Sequence, residues 1–207
     1  LFIKMNNEIL YILLPDYAAH EVVYLSQAIA SDEFALKENP KYINKVVAPT
    51  LEPIKSIGGF FTLPDYSFDT IPDDYAALIL IGGFGWATPI AEKVMPIVKS
   101  AIKRGKIIGA ICNAASFMAK YGFLNAIKHT GNGLGQLKLW GGENYTNSRQ
   151  YVHAQAVSDK NIVTANGSAT LEFAKEVLLL LENDTLEHIE MYYKFNKDGF
   201  CLLFPNQ

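Results

Sequence analysis

The sequence has little cysteine and no long apolar run, and both features exclude several classes of protein. Only two cysteines, Cys112 and Cys201, occur among 207 residues. The chain therefore has no disulfide framework and no paired Cys/His spacing of a metal site. No apolar run approaches membrane-spanning length, and the first residues lack the basic and apolar segments of a signal peptide. We expect a cytoplasmic protein that uses no metal or other cofactor and does not bind a membrane.

An excess of one charge is also absent. The 18 Lys and Arg are balanced by 21 Asp and Glu, for a net charge of −3. The chain has no basic patch typical of nucleic-acid binding. Hydrophobic residues make up 50% of the sequence, which indicates a globular protein. We expect one domain over residues 1–185, followed by an apolar extension over residues 186–207 that packs on the domain or on a partner subunit.

Apolar runs that read as buried strands alternate with amphipathic segments that read as helices. This alternation is typical of an α/β fold with a mostly parallel sheet flanked by helices, a three-layer sandwich. A Gly-Gly turn at residues 58–59 predicts a hairpin or a bulged strand pair, and the glycine-rich segment at residues 131–135 predicts a loop. The predicted strands are residues 9–14, 42–48, 54–57, 60–63, 76–81, 106–111, 151–156 and 161–165, and the predicted helices are residues 19–30, 88–104, 113–121 and 171–181.

Cys112 is the most informative residue, because it lies where a predicted strand ends and a predicted helix begins. A thiol at this junction is close to the free N–H groups of the helix and to the positive end of its dipole. These groups lower a thiol pKa and favour the nucleophilic thiolate. The alternative is a buried structural cysteine, since free cysteine is among the most buried residue types.

Candidate functional residues follow three of the predicted strands, at residues 15–21, at residues 82–85 and at Cys112. In an open α/β sheet, ligands bind beyond the carboxyl ends of the strands. A thiolate that attacks a carbonyl needs N–H donors for the developing oxyanion, and glycine turns offer such donors without obstruction. The backbone N–H groups of Gly83 and Asn113 are candidates for this oxyanion hole.

Three motifs in this order resemble the DJ-1/PfpI superfamily, a branch of the class I glutamine amidotransferase-like, flavodoxin-like fold. They are the segment Ala-Ile-Cys112-Asn-Ala-Ala, the turn at residues 82–83 after a buried strand, and the segment Ala-Asn-Gly-Ser-Ala-Thr-Leu-Glu-Phe-Ala at residues 165–174. The resemblance spans about residues 8–182. It implies a nucleophilic Cys112 at a strand–helix elbow, a small carbonyl, aldehyde or amide substrate, and a homodimer.

The resemblance also suggests partners for the thiol. Glu21 occupies the position of the acidic residue that lies against the nucleophilic cysteine in this family, and it is a candidate acid/base. His129 lies in the region where many members supply a histidine, although a gap-free comparison places Asn132 nearer that position. His20 is adjacent to Glu21 and is a further candidate for the pocket. The alternative for each residue is an ordinary helix or loop position.

Two comparisons with known motifs restrict the type of reaction that we expect. Protease-like members carry histidine directly after the cysteine, whereas this chain has Asn113, which makes protease activity doubtful. The letters His188-Ile-Glu190 match an amidotransferase motif but follow the helix that the motif precedes, so we interpret them as a coincidence. Cys201 is expected to be a packing residue.

The resulting hypothesis is a cysteine-dependent hydrolase or lyase-like enzyme. Two alternatives remain at this point. One is a non-enzymatic stress-response protein, in which Cys112 is an oxidisable sensor or the chain acts as a chaperone-like holdase. The other is a glutaminase-type subunit that works with a synthase partner.

Overall fold

The computed structural model describes residues 7–31 and 36–205 as alternating strands and helices. The strands are β1 (Glu8–Ile12), β2 (Ile43–Ala48), β3 (Ile54–Lys55), β4 (Phe61–Thr62), β5 (Tyr66–Ser67), β6 (Ala77–Leu80), β7 (Ile107–Ile111), β8 (Ala156–Asp159) and β9 (Ile162–Ala165). The helices are α1 (His20–Ala30), α2 (Met95–Lys103), α3 (Asn113–Lys120), α4 (Leu134–Gly141), α5 (Thr170–Leu181), α6 (Leu186–Asp198) and α7 (Phe200–Leu203).

Seven strands form one sheet in the order β5-β2-β1-β6-β7-β9-β8. Every neighbouring pair is parallel except β8 and β9, which pair antiparallel. The hairpin predicted around the Gly-Gly turn is confirmed as β3 and β4, which pair antiparallel. Helices cover both faces of the large sheet, so the predicted three-layer α/β architecture is confirmed.

Both faces of the sheet are apolar, as a parallel sheet between helix layers requires. In the first strand, Leu10 and Ile12 pack into one core with residues of α2, α3 and α4. Their neighbours Ile9 and Tyr11 pack into a second core with residues of α1 and α5. Side chains alternate between faces along a strand, so the continuous apolar run of β1 supplies both cores.

The chain changes direction across the sheet at β1, and this determines where the site forms. From β1 it moves to β2 on one side and later returns to β6 on the other side. The two connections leave a crevice at the carboxyl ends of β1 and β6, where open α/β sheets bind ligands. The carboxyl ends of β7 and β9 follow beside β6, which places four strand ends together.

Three sequence-based assignments differ from the structure. The helix predicted over residues 88–104 begins as a 3₁₀ segment, Pro89–Val94, and its α-helical part starts only at Met95. Pro96 has no N–H to donate to the Glu92 carbonyl, and Met95 N–H bonds this carbonyl instead in the tighter 3₁₀ pattern. Residues 151–155 form no strand, and the glycine-rich segment predicted as a loop at 131–135 runs into α4.

The C-terminal helices follow the last core helix. The Tyr192 hydroxyl donates to the Tyr24 carbonyl at 2.9 Å, and Lys175 pairs with Glu190 at 2.6 Å, so α6 packs against both α1 and α5. The division at residue 185 remains a prediction. Across the described residues, no helix combines the length and the apolar character needed to cross a bilayer.

Gly109 and Gly135 offer a matched test of packing on β7, the strand that leads to the thiol. A Cβ at Gly109 would lie 2.7 Å from Cζ of the buried Phe173, whereas a Cβ at Gly135 in α4 would meet nothing within 4 Å. We expect Gly109→Ala to lower the free energy of unfolding by about 1–3 kcal/mol through overpacking. Gly135→Ala should raise it by about 0.5–1 kcal/mol because alanine favours the helix. Urea unfolding measures both, and equal effects of the two variants would contradict the described packing.

Candidate active site

Cys112 lies between β7 and α3 in a strained backbone conformation. Its φ is 60° and its ψ is −127°, a region that residues with a side chain seldom adopt. The Cys112 N–H donates to the Ala165 carbonyl at 3.0 Å, and the Cys112 carbonyl accepts from the Ala115 N–H at 3.1 Å. The first bond ties the elbow to β9 and the second begins α3. Such strain is typical of a turn that presents a nucleophile at the end of a strand.

Glu21 approaches the thiol from the first turn of α1. Its side chain is buried, with only 2% of the residue exposed. Its Oε2 accepts a hydrogen bond from the Gly82 N–H at 2.6 Å, and its carboxyl group hydrogen-bonds the Cys112 thiol. Burial raises the pKa of Glu21 from 4.5 to about 7, because the desolvated carboxylate is disfavoured. The structure therefore brings Glu21 and Cys112 together, as expected.

Two glycines allow the backbone to close around this pair. A Cβ on Gly167 would lie 2.9 Å from Cys112 Sγ, and one on Gly82 would lie 2.6 Å from Glu21 Oε2. Any side chain at either position would displace the thiol or the carboxyl. Gly167 belongs to the family motif at residues 165–174, which by itself assigns it no part in the site. Its position two residues after a buried strand is the signal that could have found it.

Asn132 is the side chain that contacts the sulfur from the outer side. Its Nδ2 donates to Cys112 Sγ at 3.3 Å, and its Oδ1 accepts from the Gly167 N–H at 2.9 Å. A backbone N–H can bond only the oxygen of the amide, so this contact turns the amide nitrogen towards the sulfur. The position that the gap-free comparison aligned with the family histidine therefore holds a hydrogen-bond donor that cannot act as a base.

His129 lies away from the thiol, with both ring nitrogens engaged in the interior. The residue is 0% exposed; its Nδ1 bonds the Ile127 carbonyl at 2.9 Å and its Nε2 bonds the Tyr145 hydroxyl at 2.6 Å. The carbonyl can only accept, so Nδ1 carries the proton and Nε2 accepts from the tyrosine. Burial lowers the pKa of His129, which favours this neutral ring. The geometry gives this predicted base a packing role, because its hydrogen bonds are already satisfied.

His20 lies at the edge of the site. Its Nε2 is 3.2 Å from the Gly167 carbonyl, in the loop whose backbone contacts the sulfur. When protonated, its positive charge opposes the upward shift in the pKa of Glu21. The structure thus brings His20 to the loop after β9, beside the thiol.

The candidate oxyanion donors, the N–H groups of Gly83 and Asn113, follow β6 and Cys112. Gly83 has a φ of 134° and packs so closely on Asp16 and Tyr17 that no Cβ would fit. The Asn113 N–H hydrogen-bonds the thiol sulfur. The Asn113 side chain joins the two candidates, because its Nδ2 donates to the Gly83 carbonyl at 3.0 Å. Gln136, a residue that was not a candidate from the sequence, donates a hydrogen bond from Nε2 to Asn113 Oδ1 at 2.8 Å.

The thiol pKa differs from the sequence expectation. Burial and the neighbouring Glu21 charge raise the pKa of Cys112, and the hydrogen bonds from Asn132 and Asn113 oppose this rise. Desolvation therefore outweighs the stabilisation that the start of α3 was expected to provide. The charge effect of Glu21 is present only while its carboxyl is ionised, so the two groups titrate together.

An open cavity of about 810 Å³ lies over the sulfur. Its walls come from the loop before α4, the loop before β8 and the loop after β9. The lining residues are Cys112, Gly131, Asn132, Gly133, Tyr151, His153, Ala154, Gln155, Asn166, Gly167 and Ser168. No Lys, Arg, Asp or Glu is among them. Within residues 7–31 and 36–205 there is also no cluster of three or more His, Cys, Asp or Glu side chains that could hold a metal.

Three other residues from the sequence analysis lie on the C-terminal helices. His188 Nδ1 is 2.7 Å from Asp184 Oδ2, and Glu190 pairs with Lys175, so both outer residues of the His-Ile-Glu letters on α6 contact neighbouring side chains. Cys201, expected to be a packing residue, is exposed on α7. The aromatic residues around Cys201 suggested burial, but none of the four residues of α7 is buried.

A family model described as the DJ-1/PfpI family matches residues 7–180. The chain belongs to this family. A relative from Bacillus subtilis named "Uncharacterized protease YdeA" is 38% identical over 193 residues, which is 92% of this chain and 91% of the relative. The crystal structure of a thiJ/pfpI family protein from Bacillus anthracis is 32% identical and has a TM-score of 0.88, covering 96% of this chain and 94% of that one.

A third protein is similar over nearly its whole length. The DJ-1 superfamily protein Atu0886 from Agrobacterium tumefaciens is 31% identical with a TM-score of 0.81, covering 93% of this chain and 98% of that one. The predicted family and fold are therefore confirmed.

The buried carboxyl of Glu21 makes stability depend on pH. Because its pKa is about 7 in the fold and 4.5 ordinarily, its contribution is fully present below pH 4.5 and is lost as the pH rises through about 7. The loss amounts to roughly 3 kcal/mol. We expect Glu21→Gln, which mimics the protonated acid, to remove this dependence, whereas Glu143→Gln on the surface should retain it. Urea unfolding between about pH 4 and about pH 8 measures this, and a slope unchanged by Glu21→Gln would contradict it.

Removing the Asn132 amide should slow the reaction of the thiol. Asn132→Ala deletes the hydrogen bond that lowers the pKa of Cys112. Less thiolate is then present at neutral pH, and we expect alkylation by iodoacetamide to slow by about 3- to 10-fold. Mass spectrometry of the labelled peptides gives the rate, with the exposed Cys201 in the same sample as an internal reference. Equal labelling of Cys112 in both proteins would show that the amide does not stabilise the thiolate.

Proposed function

We propose that this protein is a cysteine-dependent enzyme that acts on a small carbonyl or amide compound through Cys112. One observation carries the proposal: the sulfur faces an open cavity while a buried carboxyl and a fixed amide donor hydrogen-bond it. A structural cysteine requires neither the strained elbow nor the carboxyl with a raised pKa. Membership of the DJ-1/PfpI family supports the same proposal.

The proposed activation is a proton transfer from Cys112 to Glu21. With a pKa of about 7, the carboxyl is partly ionised at neutral pH and can accept the thiol proton. The protonated carboxyl then donates a hydrogen bond to the thiolate, and so do Asn132 Nδ2 and the Asn113 N–H. These uncharged donors stabilise the anion without a neighbouring cation.

The next step is attack of the thiolate on the carbonyl carbon of a substrate in the cavity. As the C–S bond forms, the π-electron pair of the carbonyl moves to its oxygen. We propose that the N–H groups of Gly83 and Asn113 donate hydrogen bonds to this oxyanion, since they follow the ends of neighbouring strands and the Asn113 side chain links them. Removal of one such donor typically costs about 100- to 1000-fold in rate.

The lining of the cavity bears on the competing functions. A glutaminase must hold the charged carboxylate and ammonium groups of an amino acid, but no charged side chain other than that of a protonated histidine is available among the described lining residues. Protease activity is not part of the proposal, because position 113 is an asparagine whose side chain is engaged with Gly83 and Gln136. A homodimer, a cytoplasmic location and a role in stress response remain expectations.

Turnover of a substrate panel by matched cysteine variants tests the proposal. The panel contains α-oxoaldehydes, small amides and acetate esters, and intact-protein mass spectrometry follows the covalent adduct. We expect Cys112→Ala to abolish turnover and adduct formation completely, because the nucleophile is gone, whereas Cys201→Ala should retain both. Turnover by Cys112→Ala would contradict the proposal. If nothing in the panel reacts but dilute peroxide oxidises Cys112 and spares Cys201, the sensor function is favoured instead.

A further inference from the structure

The proposed reaction needs a proton on the cavity side of Cys112, and Glu21 is poorly placed to provide it. Glu21 is 2% exposed and lies behind the sulfur, against the Gly82 N–H. When a leaving group departs into the cavity, its proton must come from a group that lines the cavity. The nearest side chain, Asn132, is an amide and cannot supply one.

His153 lines the same cavity as Cys112. It was not a candidate from the sequence, because it lies within a predicted strand and belongs to no motif. Histidine is the side chain best suited to accept and donate a proton near neutral pH. Apart from Cys112 and Tyr151, the other described lining side chains are amides, a hydroxyl and an alanine.

The loop that carries His153 is anchored on both sides of it. The Val152 N–H donates to the His129 carbonyl at 2.8 Å, and the Thr130 hydroxyl donates to the Ala154 carbonyl at 2.9 Å. The Ala154 N–H also donates to the Val152 carbonyl at 3.0 Å, which forms a tight turn around His153. These hydrogen bonds hold the backbone that carries the imidazole, which limits the positions that a catalytic group at this site can take.

The buried His129 takes part in this anchoring. Its carbonyl accepts the Val152 N–H, and its own N–H donates to the Gln150 carbonyl at 3.2 Å. Its ring packs edge-on against Tyr151 with centroids 6.3 Å apart. The histidine predicted as the base thus supports the loop that carries a different histidine.

The amide side chains of Gln155 and Asn166, on two loops of the cavity, are already hydrogen-bonded to each other. Asn166 Nδ2 donates to Gln155 Oε1 at 2.6 Å, and the Ser168 hydroxyl donates to Asn166 Oδ1 at 2.6 Å. This chain of hydrogen bonds makes a neutral polar wall that can orient a substrate but cannot exchange a proton with it near neutral pH.

We propose that His153 is the catalytic acid and base on the cavity side of Cys112. This inference rests on the proposed function. In acyl transfer, the thiolate adds to the carbonyl carbon, and the bond to the leaving group then breaks as the oxyanion re-forms the carbonyl. His153 as imidazolium gives its proton to the departing oxygen or nitrogen. The neutral imidazole then takes a proton from a water molecule that attacks the thioester, which releases the acid and returns the thiolate.

Acetate esters with different leaving groups test this role. Ethanol leaves only with a proton, whereas p-nitrophenolate leaves without one. We expect His153→Gln to slow acylation by ethyl acetate about 100-fold and acylation by p-nitrophenyl acetate less than about 3-fold. Free imidazole should restore part of the lost rate in His153→Ala, since the cavity has room for it. The control is His188→Gln on α6, which should match the wild type with both esters.

The possible results separate this inference from the proposed function. If Cys112→Ala loses all acylation while His153→Gln matches the wild type with both esters, the function stands and the role of His153 is wrong. An equal loss with both esters, or no rescue by imidazole, would also overturn the role of His153. A general acid accelerates the departure only of a leaving group that needs a proton. If the wild type forms no Cys112 adduct with either ester, the role of His153 in acyl transfer is wrong, and if no compound of the whole panel reacts, the proposed function fails as well. Iodoacetamide labelling of Cys112 at the wild-type rate in His153→Gln shows that the thiol site is intact.

Discussion

The hydrogen bond between the buried Glu21 carboxyl and the Gly82 N–H is the contact on which the site depends. It fixes the carboxyl at the end of β6, where the carboxyl meets the thiol of Cys112 from the next strand. A carboxyl in this position cannot be well hydrated, so its pKa rises towards neutrality. The same burial that weakens the acid places it where it can exchange a proton with sulfur.

The rest of the structure brings the other groups to this contact. Parallel pairing sets the ends of β6, β7 and β9 side by side, so glycines at positions 82 and 167 flank the elbow. The Gly167 N–H then orients Asn132, and Asn113 ties the elbow to the turn after β6. Backbone groups thereby set the directions of most polar side chains around the sulfur.

The parts of the fold that were predictable are those where a local pattern decides the structure. The short apolar run at residues 76–81, which leads into a glycine turn, indicated a buried strand, and the junction at Cys112 followed from adjacent strand and helix patterns. Motif order likewise pointed to Glu21. His129 and Asn132 could not be separated in this way, because three residues of one loop decide which side chain faces the thiol. His153 was not predictable, since tertiary hydrogen bonds from residues 129–130 position its loop.

In the proposed activation, the pairing of Glu21 with Cys112 also determines where the negative charge lies when the thiolate forms. Moving a proton from the sulfur to the carboxyl leaves the total charge of the pair at minus one. No ion enters or leaves the interior, and only the location of the negative charge changes. The surrounding dipoles therefore need little reorientation, and dissolved salt, which screens charges across the surface, has little influence on the balance between the two forms. In the proposed activation, the thiolate therefore forms by an exchange within the pair.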